Sequence, residues 1–130
     1  LHNSGVAIGS HCHDHFILHS NQTNSNVDTQ LSVSKQLIQE RCGECLYFCY
    51  PNGSFRDISK YSVNAVRGIY SLGFASVAGE VANTSDRYLL PRIMVSERWD
   101  LDHFKFQLST SFFHNSDYNK HCEAHHHSAD

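Results

Sequence analysis

The chain has 130 residues, 40% of them hydrophobic, 12% aromatic and 18% charged, a composition that suits one folded domain with a real core and excludes a disordered chain. No apolar run approaches the roughly 20 residues that a membrane-spanning helix needs. Ten Lys and Arg against thirteen Asp and Glu leave a net charge of −3, and the basic residues are scattered, which argues against nucleic acid as a partner.

Two residue types stand out. Eleven His raise the prospect of a metal site, and five Cys, being odd in number, fit a reducing compartment better than a secreted disulfide scaffold. The first five residues carry neither a basic region nor a long apolar stretch, so no secretory signal is visible, and cytoplasm and cell envelope both stay open.

In chain order, residues 6–9 read as a short strand running into Gly9-Ser10-His11-Cys12-His13-Asp14-His15. Residues 20–26, rich in Asn and Ser, read as a loop. Val27, Leu31, Leu37 and Ile38 have helical spacing, with Asp28 near the start and Gly43 just past the end. Residues 46–50 form a buried-type strand stopped by Pro51-Asn52-Gly53. A second helix follows, with Asp57 as N-cap, Ile58, Tyr61, Ala65, Ile69 and Leu72 on one face, and Gly73 at its end. Residues 74–78 are the next strand, 79–87 a loop, and 89–95 a strand whose Pro91 suits a beginning or an edge. Leu101, Phe104 and Leu108 place a third amphipathic helix near 99–110. The domain therefore spans 1–114, and 115–130, with His125-His126-His127, reads as a flexible tail.

Strand-helix alternation implies parallel strands joined by right-handed crossovers, in an open α/β sheet or part of a barrel, with chemistry at the carboxyl ends of the strands. The His segment and Pro51-Asn52-Gly53 both fall at such ends. His11 and His15 are four apart, which on a helical turn brings both imidazoles to one face where they can bind one ion; the alternative is a loop of solvated His. Cys42-Gly43-Glu44-Cys45, followed by Cys49, has the spacing of a redox pair or half a zinc site. The second half is absent, so Cys42 reads as a helix end and Cys45 and Cys49 as small buried residues. The His121 to His127 stretch could hold metal adventitiously, and His103 and His114 read as surface residues. Arg92 sits on an apolar strand, where a charge needs either a partner, for which Asp86 is available, or a polar active site.

Taken together, these segments resemble the polysaccharide deacetylase family, the NodB-homology domain of carbohydrate esterase family 4. Gly5-Val6-Ala7-Ile8-Gly9-Ser10-His11-Cys12-His13-Asp14-His15 is similar to the motif G-x-E-I-G-[SN]-H-[ST]-x-x-H, with Ala7 in place of Glu. Phe48-Cys49-Tyr50-Pro51-Asn52-Gly53 resembles F-A-Y-P-[FY]-G, Gly73-Phe74-Ala75 the strand G-[YF]-x-A, and Leu90-Pro91-Arg92-Ile93 the motif L-P-R-[IVF].

The resemblance implies a partial or distorted (β/α) barrel and a divalent metal, zinc, held by His11 and His15 with an aspartate. It implies a glycan substrate bearing N-acetyl groups, attacked by metal-activated water. The oxyanion would be met by the metal and a backbone N–H of Tyr50-Pro51-Asn52-Gly53, with Asn52 at the matching position. The family's T-F-D-D-G motif, source of the third ligand and the catalytic base, does not occur in this sequence. The chain thus reads as the part of the domain that follows that motif, with Asp14 the first suspect for a base should it act alone. In place of the L-x-H acid stands Arg92, which stabilises charge but cannot release a proton near neutral pH. A piece of such a domain would leave strand edges open to self-association. Two alternatives are a noncatalytic glycan-binding relative and a His/Cys metal-binding module.

Overall fold

The computed structural model describes residues 2–110, and its elements run from a short 3-10 turn at His2–Ser4 to a last helix ending at Thr110. The expected tail from 115, with Cys122 and His121 to His127, and the expectation for His114 fall outside the described residues.

Helix α1 spans Asn24–Cys42. It begins earlier than the apolar spacing indicates, because Thr23 caps it: the Thr23 hydroxyl accepts from the Asn26 N–H at 3.2 Å, so residues 24–26 are its first turn and not loop. Its end is where expected. Gly43 takes φ 82°, and its N–H bonds the carbonyl of Gln39.

Strand β1 (Tyr47–Cys49) pairs in parallel with β2 (Leu72–Phe74), Phe48 opposite Gly73. On the outer side of β1, Ser10 forms a single parallel bridge to Phe48; on the outer side of β2, Leu90 forms one to Phe74. Four chain segments therefore lie side by side in chain order, all pointing the same way. Among the described residues β1 and β2 are the full strands; the expected strand at 89–95 shrinks to the bridge at Leu90, and that at 6–9 does not form, the bridge falling on Ser10 just after it. Val6 and Ala7 are exposed. Beyond Leu90 the next backbone bond runs from the Arg92 N–H to the Val77 carbonyl at 3.0 Å.

Helix α2 is Lys60–Ile69, preceded by a 3-10 turn at Phe55–Asp57. Two expectations fail here. The N-cap is Ser59, whose hydroxyl accepts from the Ser62 N–H, while Asp57 accepts from the Ser54 hydroxyl instead. The fully buried helical residues are Ser62, Val63 and Val66; of the expected stripe Ile58 is in the core and Ala65 and Ile69 pack against it, but Tyr61 is exposed. Ser62 turns inward to donate to the Leu18 carbonyl at 2.8 Å, and Tyr61 turns outward to donate to the Asp28 carboxylate. The helix ends at Ile69, which frees Leu72 and Gly73 for β2. Helix α3 is Leu101–Thr110, within the expected 99–110, but the apolar face expected of it is not buried: Leu101 and Leu108 are exposed.

The core lies between α1, α2 and the parallel segments, with Leu31, Phe48, Tyr50, Val66 and Leu18 fully enclosed. Phe48 meets the rings of Tyr50 and Tyr70, each at 5.1 Å between centroids. Polar ties cross the same space: Tyr70 donates to the Leu31 carbonyl at 2.9 Å, and buried Ser10 donates to Ser34 of α1 at 2.7 Å. The architecture is mixed α/β, with helices packed on parallel strands.

Candidate functional site

Because the four segments are parallel, their carboxyl ends share one edge of the sheet. His11 follows Ser10 there, Tyr50 and Pro51 follow β1, Ala75 and Ser76 follow β2, and Arg92 follows Leu90. Every sequence-predicted site residue is on this edge, although the chain segments bearing them are far apart in sequence.

His11 Nδ1 lies 2.6 Å from the carbonyl oxygen of Cys49. A carbonyl only accepts, so the ring carries its proton on Nδ1 and keeps the lone pair of Nε2. The His11 and His15 rings meet edge to face, their centroids 4.9 Å apart at 76°. Two imidazoles on one tetrahedral zinc, with Zn–N distances of about 2.0–2.1 Å, would have centroids roughly 5 Å apart, so the pair fits two positions of such a site. No group of three His, Cys, Asp or Glu side chains among the described residues could hold an ion.

The two rings do not meet by lying on a helical turn. The backbone between them is irregular, with Cys12 at φ 62° and His15 at φ 54°. Non-glycine residues in this left-handed region cost on the order of 1 kcal/mol each, so neighbouring structure has to hold them there. The neighbour is Gln30 of α1. Its Oε1 accepts from the N–H groups of His13 and Asp14 at 3.0 and 3.1 Å, and its Nε2 donates to the Asp14 carboxylate at 3.1 Å. His13 Nδ1 also lies 2.7 Å from that carboxylate. The hydrogen bond from Gln30, and next that from His13, hold Asp14 below the usual carboxylate range. A carboxylate so engaged is a weaker base than a free one, which disfavours Asp14 in that role. Burial pushes the neighbouring Cys12 thiol up to about 12, so it stays protonated at neutral pH.

Across from this loop, Asn52 takes φ 55° and Gly53 φ 73°, which turns the chain sharply after buried Pro51. The turn's donors can be accounted for. Tyr50 N–H bonds the Phe74 carbonyl at 3.1 Å, Gly53 N–H bonds the Pro51 carbonyl at 2.6 Å, and proline has none. The Asn52 N–H is the donor that remains. The Tyr50 side chain is fully enclosed, and its hydroxyl has no hydrogen-bond partner among the described residues. Burial pushes its ionisation well above the usual tyrosine value.

Arg92 does not pair with Asp86. Asp86 is taken by Arg67 at 3.2 Å, whereas Arg92 donates to the Ala75 carbonyl at 3.1 Å and to the Ser76 hydroxyl. Ser76 N–H in turn bonds the Gly53 carbonyl at 2.8 Å. Arg92 is thereby coupled to the Asn52-Gly53 turn through one residue. It also lies against the Cys49 thiol, whose ionisation burial raises and Arg92 opposes.

Of the other cysteines, Cys42 is the last residue of α1 and Cys45 is fully buried, as small packing residues would be. Cys12, Cys42, Cys45 and Cys49 are all free thiols. His103 stacks on Trp99 at 4.9 Å and takes no part in the edge described above.

Gln30, Ser34 and Ser76 were not singled out from the sequence. Ser34 had a signal: it interrupts the stripe Val27, Leu31, Ile38, and a polar residue in an apolar stripe implies a buried hydrogen bond. Gln30 and Ser76 had none, because their partners are distant in the chain.

A family model described as polysaccharide deacetylase matches residues 1–71, a stretch that includes the His segment and the Pro51-Asn52-Gly53 turn. Among solved structures, the chain is similar to "Streptococcus pyogenes deacetylase PplD in complex with acetate", with a TM-score of 0.65 and 18% identity. The likeness covers 76% of this chain and 43% of that one, so this chain spans less than half of that structure's length. No curated protein matches.

Proposed function

The chain belongs to the polysaccharide deacetylase family, and from that premise we propose that it serves a metal-dependent hydrolase that removes N-acetyl groups from a polysaccharide or related glycan. The observation that carries this reading is the His11–His15 pair, 4.9 Å apart on the strand edge that also bears the Asn52 turn and Arg92.

His11 and His15 would hold a divalent ion, zinc by its liking for imidazole. When bound, such an ion supplies Lewis acidity toward the acetamide carbonyl and acidifies water at neutral pH. Cys49 contributes through its backbone, fixing the His11 tautomer so that Nε2 points its lone pair outward. The Asn52 N–H would meet the oxyanion. Arg92 holds that donor's turn through Ser76 and adds positive charge, without acting as a proton source. A third ligand and a base would have to join the pair, beside which no third ligating side chain stands among the described residues. Parallel strands with helices packed on them are what a segment of a (β/α) barrel contains.

A second reading is a noncatalytic glycan-binding relative, supported by Arg92 at the position of the family's L-x-H acid, since Arg cannot release a proton near neutral pH. Acetate release from N-acetylglucosamine oligomers, measured with zinc added and compared with His11→Ala, separates the two. Zinc-dependent release lost in His11→Ala supports the hydrolase. Sugar binding with no release, from a preparation that binds zinc and carries an Asp-Asp motif restored ahead of residue 1, supports the second reading.

A further inference from the structure

We propose that Gln30 is a positioning residue that sets the spacing of His11 and His15 from outside the motif, by clamping the backbone between them to α1. This rests on the reading of the two histidines as a ligand pair.

The loop between the rings contains its own obstacle. Cys12 and His15 both occupy the left-handed region, at φ 62° and 54°. Neither is glycine, so the sequence of the loop does not by itself favour this shape. One side chain supplies what is lacking. Gln30 Oε1 accepts from two successive N–H groups, those of His13 and Asp14, and its Nε2 donates to the Asp14 carboxylate. These contacts bind the crest of the loop, midway between the two rings.

The same turn of α1 also holds the loop's base. Ser34 donates to the Gln30 carbonyl at 2.7 Å and receives the hydrogen bond of Ser10, the residue before His11. The loop is thus held at its base and at its crest by residues four apart on one helix face. His11 has a further anchor at the Cys49 carbonyl. The ring contact made by His15 is with His11, so the placement of His15 depends on the backbone that Gln30 holds.

Gln30→Met keeps the length and packing of the side chain and removes its hydrogen bonds. Zinc affinity of the full chain, measured by calorimetry with His121 and His125 to His127 replaced by Asn, should fall roughly tenfold or more in this variant. Ring-nitrogen spectra of the zinc-bound protein should show the His15 signal weakened while that of His11 persists. A double variant, Gln30→Glu with Asp14→Asn, restores the geometry with reversed polarity: the carboxylate accepts from both backbone N–H groups and from the new amide. It should recover most of the lost affinity, which a merely structural substitution would not do, and it keeps the idea testable if Gln30→Met fails to fold.

Wild-type affinity in folded Gln30→Met, while His11→Ala loses zinc, overturns the clamp and leaves the ligand pair standing. Failure of the double variant to regain affinity also overturns it. Equal zinc binding in wild type and His11→Ala overturns the ligand pair, and the clamp with it.

Discussion

His11 Nδ1 stands 2.6 Å from the carbonyl oxygen of Cys49, joining two residues 38 positions apart across the outer bridge of the sheet. The contact uses the backbone of Cys49, not its sulfur, and it settles which ring nitrogen faces outward. Cys49→Ala should therefore keep the wild-type zinc affinity, with the His11 tautomer unchanged in ring-nitrogen spectra. A tenfold or greater loss in that variant would make the thiol a ligand and favour a Cys-containing metal module.

Two glycines of positive φ should respond unequally to alanine. At Gly53, φ 73°, an added Cβ would stand 2.6 Å from the Ser76 hydroxyl, 2.8 Å from its nitrogen and 2.9 Å from the Tyr50 carbonyl. Strain and overlap together should cost about 2–4 kcal/mol. At Gly43, φ 82°, nothing lies within 4 Å, and strain alone should cost about 1 kcal/mol. Urea unfolding of the two variants measures the difference; equal losses would mean the Asn52-Gly53 turn is not packed on Ser76.

Much of this was legible where the cause is local. The His segment, the Pro51-Asn52-Gly53 turn and the close of α1 at Gly43 each follow from residues within a few positions. The rest depends on neighbours. Whether 6–9 and 89–95 become strands turns on what pairs beside them: the second obtains a single bridge at Leu90, and the first none, the bridge falling on Ser10. The rotation of α2 follows from Ser62 reaching Leu18, 44 residues away, which outweighs a pattern that would have buried Tyr61. The histidines are adjacent as expected for i, i+4, but through two left-handed residues and a glutamine on another element. Spacing alone could not distinguish these two routes to one contact.

Alkaline pH should weaken the fold from a definite point. Burial is the leading cause that raises the ionisation of Cys45 and Cys49 above the ordinary 9.0, and of Tyr70 above 10.0. Each group is neutral when protonated, and its folded pKa exceeds the unfolded one. Its contribution to stability is complete below the unfolded value and is lost as pH rises toward the folded one. Stability from these groups should hold level up to about pH 9 and decline above it, first through the thiols and then through tyrosine. Denaturant midpoints between pH 7 and 11 would show this, and a midpoint rising above pH 9 would contradict it.

The Tyr50 hydroxyl is buried without a partner among the described residues. Removing a buried, unsatisfied hydroxyl relieves a desolvation cost of about 1–3 kcal/mol, so Tyr50→Phe should leave stability unchanged or raise it by about 1 kcal/mol. A loss of stability of similar size, read from the thermal midpoint, would show that the hydroxyl is bonded in solution.

The central claim is that His11 and His15 are two ligands of one divalent ion. The most direct measurement is zinc affinity and stoichiometry by calorimetry on the full chain with His121 and His125 to His127 replaced by Asn, for the parent, His11→Ala, His15→Ala and the double variant. One zinc per chain in the parent, weakened by either single substitution and abolished by both, is the result predicted. Stoichiometric zinc retained in the double variant would contradict the assignment and the hydrolytic reading built on it.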